Sequence, residues 1–492
     1  MRRGDFAAMN IYFAALIVYS VVLVLIGFVA ARKVKSASDF LVAGRSFGPG
    51  ILFATFLAAN IGAGSTVGAS GLGYRFGMSA WWWVGSASIG TFILSQTVGP
   101  RLWKLAKAHD FQTLGDFLEF RYGKAVKGII AVILWAGTLT ILAAQIIAIS
   151  WILNVVVGLP KWKGCLAGGV VAISYCAAGG LASSAVVNIL ELTVTMSGLL
   201  LAIPFALHGA GGWAGMNASI AGSLGAARSE TLVQFTGTGA KQILAYAAIL
   251  IPSFIVSPGL VQKLYGARSD SSVRRGVALN SLAQAAFAFA PAIFGLLALS
   301  RFPHLGNPEL ALPTVMMYMV PKWLGVWALA AIFSAELSAT DAILFMLSTS
   351  LTVDLYKTFL NPTVSQKKLL SVSRLTAVLA GGAGVLLAIA LPSVIAAVTI
   401  FYGLLAVALF VPVIYGLYWR RMSTAAAIMS IFAAVSAALV TFYSMADHGV
   451  WLLSSSAVGI LVALVVATTA SLLFPAKTSL TASAPAGEGV KS

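Results

Sequence analysis

The feature that most constrains this chain is the recurrence, along nearly its whole length, of apolar runs of about twenty residues. As a helix rising about 1.5 Å per residue, each run can cross a hydrocarbon core of about 30 Å. Of the 492 residues only 9% are charged and 60% are hydrophobic. A water-soluble domain carries roughly 25% charged residues. Such a chain cannot build a water-facing surface; the bilayer is its solvent.

About thirteen spans can be drawn: 9–31, 47–75, 78–100, 128–157, 163–179, 183–208, 241–263, 273–300, 323–352, 371–393, 395–418, 423–443 and 450–474. The first is no signal peptide, since it is longer than a signal core and ends in Arg32, Lys33 and Lys35 with no small-residue cleavage site. Residues 1–474 read as one membrane domain, followed at 475–492 by an Ala/Ser/Gly/Thr-rich tail expected to be disordered. The net charge of +17 lies in short clusters between the apolar runs, not on the broad basic face that nucleic acid requires. With the N-terminus outside, 22 of the 31 Lys and Arg fall on the inner side, which is the positive-inside pattern of a cell or inner membrane and places the C-terminus in the cytoplasm. Cys165 and Cys176 share one span about 16 Å apart, too far for a disulfide, and read as buried small residues.

Two spans differ from the rest. The second contains Ala58-Ala59-Asn60-Ile61-Gly62-Ala63-Gly64-Ser65-Thr66, then Gly68, Gly71 and Gly73; the seventh contains Pro252, Ser257, Pro258 and Gly259. Glycine lowers the cost of leaving helical geometry, and proline removes a donor and clashes with the preceding turn. Close packing through small residues is the alternative for either span alone. Interruptions at matching positions, five spans apart, favour two broken helices meeting at a binding site in an inverted-repeat transporter.

Ionisable groups inside a bilayer are costly and mark function by default. Three stand out: Glu191, Glu336 and Asp341. On a helix Ala335, Ser338, Ala339 and Ala342 form one stripe with Asp341 at its edge. Such a stripe can offer oxygens to a hard cation; the bland alternative is tight packing with Ser338 bonded to its own helix. Glu336 is rotated away from the stripe; pairing with a basic loop or another span is the reading open to it, and it receives no role at the site. The Trp81-Trp82-Trp83 run reads as an interfacial belt, with stacking on a substrate as the alternative. The four histidines form no metal-ligand spacing, and no phosphate loop or catalytic constellation is present, so the chain is not expected to be an enzyme.

Three strings carry a family resemblance: Asp39-Phe-Leu-Val-Ala-Gly-Arg45-Ser, Tyr175-Cys-Ala-Ala-Gly179-Gly180-Leu, and Ser348-Thr-Ser-Leu-Thr-Val-Asp354-Leu-Tyr356-Lys357. With the Ala-Ala-Asn-Ile break, their order resembles the sodium:solute symporter family, which includes sodium/proline and sodium/galactose symporters. The resemblance implies an all-α membrane protein with a five-plus-five inverted-repeat core of the leucine-transporter type. Residues 47–208 and 241–418 would form the two repeats, with 9–31 and 423–474 flanking. It further implies a sodium ion held by the carbonyls of Ala58, Ile61 and Ala335 and by the Ser338 hydroxyl. Family members usually supply a second hydroxyl where this chain has Ala339; water, Thr340 or Asp341 are the candidates to replace it. Asn188 stands where many members carry an aspartate linked to a second sodium, so one coupling ion is expected. Glu191 stands where many carry glutamine. Substrate contacts are expected at the breaks, from Asn60, Ser65 and Thr66 and from Ser253, Phe254 and Ser257. The function so implied is sodium-coupled symport of a small polar solute. Proton coupling through Asp341, and a solute sensor on the same fold, remain the alternatives.

Overall fold

The computed structural model describes residues 11–22, 25, 45–176, 181–444 and 453–476, with the side chains of 175–176, 181–189 and 366 outside that description. The expectations for Cys176, Asn188, residues 39–44, Gly179, Gly180 and the tail beyond Ala476 lie outside the described residues. What is described is helical, apart from one isolated bridge between Phe47 and Ala267.

Nine helices among the described residues are long and apolar enough to cross a membrane. Helix α1 (Ile11–Val22) is a shorter apolar helix. The second span is split into α2 (Pro49–Asn60) and α3 (Val67–Phe76). It is followed by α4 (Trp81–Ile93), which runs on through a wider turn to Val98. Then come α5 (Lys124–Val157), α6 (Lys161–Cys176) and α7 (Leu181–Gly209). The seventh span is split into α8 (Ala240–Val256) and α9 (Pro258–Tyr265). Helices α10 (Asp270–Phe287) and α11 (Phe289–Arg301) adjoin end to end. The chain continues as α12 (Lys322–Thr349), α13 (Gln366–Ala390), α14 (Val394–Tyr418), α15 (Thr424–Ser444) and α16 (Ser455–Leu473). Each drawn span thus carries helix, but α1, α4 and α6 and the two halves of the second span are short.

Burial separates an inner layer from an outer one. In α12 the apolar window is 89% buried, against 33% in α15 and in α16. The small residues of α12 explain its central place, because Ala331, Ala335 and Ala339 let neighbouring backbones approach. Helices α15 and α16 pack on one another at the periphery, and Val440, Leu461, Val465 and Leu472 stay exposed. In lipid such a face costs nothing, since hydrocarbon solvates it.

Each face is tied by a buried carboxylate. On the face carrying Pro49 and Tyr265, hereafter the lower face, Thr113 donates to Asp354 at 2.6 Å. Beside it the buried Lys127 ammonium pairs with Asp116 at 2.8 Å and Glu119 at 3.0 Å. These bonds clamp the short helix Leu114–Tyr122 onto α5 and the continuation of α12. On the upper face, Glu309 accepts from the Val394 and Ile395 amides at 3.1 and 3.2 Å and from the Trp151 indole at 3.0 Å. A carboxylate on the first amides of α14 is well placed against the helix dipole. Burial still pushes the Glu309 carboxyl up from its ordinary value, against those hydrogen bonds.

Candidate functional site

The α2/α3 break is built from side chains that capture backbone groups. The last regular bond of α2 runs from the Ile61 amide to the Leu57 carbonyl at 3.0 Å. The next two amides turn to side chains: Gly62 to the Ser65 hydroxyl at 3.0 Å and Ala63 to Gln145 Oε1 at 2.8 Å. The carbonyls of Ala58 and Ala59 thereby lose their helical partners. Ser65 also donates to the Asn60 carbonyl at 3.0 Å, and Thr66 donates to the Gly62 carbonyl at 2.9 Å, which re-forms the turn that starts α3. Only glycine fits at 62, since a Cβ there would lie 2.5 Å from the Ala339 Cβ and 2.8 Å from Gln145 Oε1. The packing alternative holds further along α3. A Cβ on Gly73 would meet the Ala292 backbone at 2.9 Å, so this glycine serves helix contact. The string breaks at one end and packs at the other.

The second break is a single residue. Ser257, at φ −57° and ψ 119°, separates α8 from α9, and Pro258 starts the new helix where its missing N–H is no loss. Pro252 lies inside α8.

Helix α12 meets the first break along the stripe read from the sequence. Ala58, Ile61, Ala335, Ser338 and Ala339 are all at most 3% exposed, and Asp341 is 6% exposed. Ala339 faces Gly62 directly. Ser338 hydrogen-bonds the Glu191 carboxyl, and Asp341, Glu191 and Lys263 share one buried electrostatic neighbourhood. Glu336 takes a place that the sequence reading did not give it. It is fully buried and accepts from the Thr66 hydroxyl at 2.6 Å, binding α12 to the break.

A cavity of about 60 Å³ lies between the two breaks. Of the expected solute contacts, Asn60, Ser65 and Phe254 line it. The other three do not. Thr66 is spent on Gly62 and Glu336, Ser253 donates to the carbonyls of Ile249 at 2.5 Å and Tyr402 at 2.6 Å, and Ser257 is the hinge. The cavity also takes Trp83 from the tryptophan run, together with Gln145, Gln284 and Tyr402, which the sequence reading did not single out. A lone amide in a long apolar span was the available signal for Gln145, because such a group needs a partner there.

The tryptophan run corrects the interfacial reading. Trp83 is 3% exposed, its indole donates to the Gly64 carbonyl at 2.9 Å, and its ring meets those of Tyr246 and Tyr402 edge-on. Trp81 and Trp82 donate to the carbonyls of Ala285 and Phe235. Trp83 forms part of the wall of both the central cavity and a larger one of about 770 Å³ toward the upper face. It is the partition between them.

Comparison with known proteins gives the same picture. A family profile described as "Sodium:solute symporter family" matches residues 40–434. The sodium/pantothenate symporter of Escherichia coli is 26% identical over 437 residues, covering 84% of this chain and 86% of that protein. The sodium/glucose cotransporter of Vibrio parahaemolyticus is 23% identical, covering 82% and 79%. Among solved structures, a substrate-bound, outward-open Na+-coupled sialic acid symporter superposes with a TM-score of 0.79 at 17% identity, covering 95% of this chain and 99% of that one. A complex of MhsT with L-phenylalanine gives 0.51 at 13% identity, covering 85% and 98%. These likenesses show the fold: a five-plus-five inverted-repeat core of the leucine-transporter type with two broken helices. The matched proteins are transporters, not enzymes.

Proposed function

The chain belongs to the sodium:solute symporter family, and from that premise we propose that it carries a small polar organic solute across the cell's inner membrane with one sodium ion, by alternating access. The observation that carries this reading is the first break, where the Ala58 and Ala59 carbonyls lose their helical partners and Gly62 packs directly on Ala339, next to the Ser338 hydroxyl on the α12 stripe. The ion's ligands in this reading are the carbonyls of Ala58, Ile61 and Ala335 and the Ser338 hydroxyl. Hard-cation sites use oxygens of this kind. Ala339 supplies no oxygen, and Asp341 lies one turn beyond Ser338 to offset that loss. Residues 47–208 and 241–418 are the two repeats that rock about the site. The lower face, with its basic clusters, is cytoplasmic, and Trp83 with Tyr246 and Tyr402 closes the outer side.

Ion and solute favour the same closed arrangement of the breaks, so each strengthens the other's binding by the same factor. The test is uptake into proteoliposomes driven by an inward sodium gradient, after thermal-shift measurements with and without sodium have identified a solute. Accumulation that follows the sodium gradient supports symport. Uptake driven by a pH gradient in sodium-free buffer, and abolished by Asp341→Asn, replaces sodium with protons. Sodium-dependent solute binding with no flux makes the protein a sensor.

A further inference from the structure

The inference that follows rests on the symport reading and names the class of solute. The polar groups of the central cavity can be counted one by one. Gln145 Oε1 accepts the Ala63 amide at 2.8 Å. A backbone N–H only donates, so this bond fixes the orientation of the side chain and leaves Nε2 to face the cavity as a donor. The Asn60 and Gln284 amides bond one another at 3.3 Å. Asn60 Nδ2 donates to Gln284 Oε1, which leaves the Gln284 amino group and the Asn60 side-chain carbonyl oxygen for a ligand. The Ser65 hydroxyl is consumed by Gly62 and Asn60. Its side-chain amides thus offer two donor amino groups against one acceptor, beside the released Ala59 carbonyl and the Tyr402 hydroxyl.

Much of the remaining lining is apolar, with the rings of Trp83, Phe254 and Tyr402 and the side chains of Val84 and Ile343. No charged side chain lines the cavity among the described residues. Glu336, the carboxylate bound to the break, turns to Thr66 and stays out of it. A buried net charge is costly unless an opposite charge meets it, and this cavity supplies only neutral dipoles.

We propose that the central site selects solutes of zero net charge, uncharged or zwitterionic, that present acceptor oxygens to Gln145 and Gln284 and an apolar face to the rings. Net anions and net cations are rejected for want of a partner in the walls. Gln145 and Gln284 are the specificity-determining residues.

The experiment is a thermal-shift panel on the purified full chain in sodium chloride and in potassium chloride. The probes are amino acids, their N-acetyl derivatives (net anions), their methyl esters (net cations) and cyclic polyols. Sodium-dependent stabilisation is expected only from amino acids or polyols. Gln145→Glu keeps an oxygen for the Ala63 amide but places a charge in the cavity. It should weaken the preferred probe by about 10- to 100-fold, the range for a lost buried hydrogen bond, and newly admit methyl esters. Gln284→Met keeps the volume but removes the donor, and should lower affinity about tenfold with charge selection intact. Stabilisation of the wild type by an N-acetyl anion or a methyl ester overturns the proposal, as does a panel in which no net-zero probe binds. If a charged probe is accumulated on a sodium gradient, symport stands and charge selection fails. If a net-zero probe binds but never accumulates, selection stands and symport fails.

Discussion

At the α2/α3 break the six residues from Ile61 to Thr66 leave the helix, and Ser65, Gln145, Thr66 and Trp83 hold them in place. At the α8/α9 break one residue, Ser257, turns the chain, and proline sets the new direction. Glycine and proline achieve different things at membrane depth. The glycine-rich break sheds backbone carbonyls, and each freed amide needs a captor, Ser65 within the break for Gly62 and Gln145 from α5 for Ala63, so the opening is expensive to maintain. The proline break sheds little and needs little support. In the proposed reading the first break is the site and the second a hinge.

The largest test of that contrast is steric. Gly62→Val places methyl groups where Ala339 and Gln145 already stand, and overpacking of about 1–3 kcal/mol falls on the site itself. Sodium-driven uptake should drop by about 100-fold or more while the helical circular-dichroism signal is retained. Gly259→Ala, in the second break, meets only the flexible Met346 sulfur at 3.2 Å and should cost less than about threefold. Equal losses would mean that both breaks are sites.

Thr66→Val removes the hydroxyl that donates to Glu336, a fully buried carboxylate. Leaving that group unsatisfied costs about 1.5–3 kcal/mol, measured as a lowered urea or thermal midpoint in detergent, and uptake should fall roughly tenfold. Ser253→Ala removes hydrogen bonds to the carbonyls of Ile249 and Tyr402. A loss of about 0.5–1.5 kcal/mol is expected, with the KM for solute changed by less than about threefold, because the hydroxyl ties α8 to α14 and does not line the cavity. One effect is a gain. Ala339→Ser adds an oxygen next to Gly62 and should lower the sodium concentration for half-activation by about three- to tenfold, about one hydrogen bond's worth.

The positions of both breaks were legible, because glycine and proline act through the local backbone and need no knowledge of neighbours. The α12 stripe was legible for the same reason, since spacing of three and four residues fixes which side chains share a face. Roles set by a second helix were not. Glu336 lies off the stripe, and only the arrival of Thr66 from the break shows what it holds. Ser253 and Thr66 look like solute contacts from sequence, being hydroxyls beside a break, but the nearest carbonyls and Glu336 claim them first. Trp83 shares a run with Trp81 and Trp82, and composition at a helix end does not say which ring turns inward. Gln145 and Gln284 sit in apolar helices whose contacts with the break are long-range, 82 and 224 residues away in sequence.

In the proposed site, α2's released carbonyls and the Ser338 hydroxyl replace an ion's hydration shell. A sodium titration of the purified protein, read as thermal stability at constant ionic strength with potassium as the replacement, tests it most directly. The account predicts saturable stabilisation by sodium and not by potassium, with the midpoint moved about tenfold higher in Ser338→Ala. Superimposable curves for the two proteins, or equal stabilisation by potassium, would contradict it.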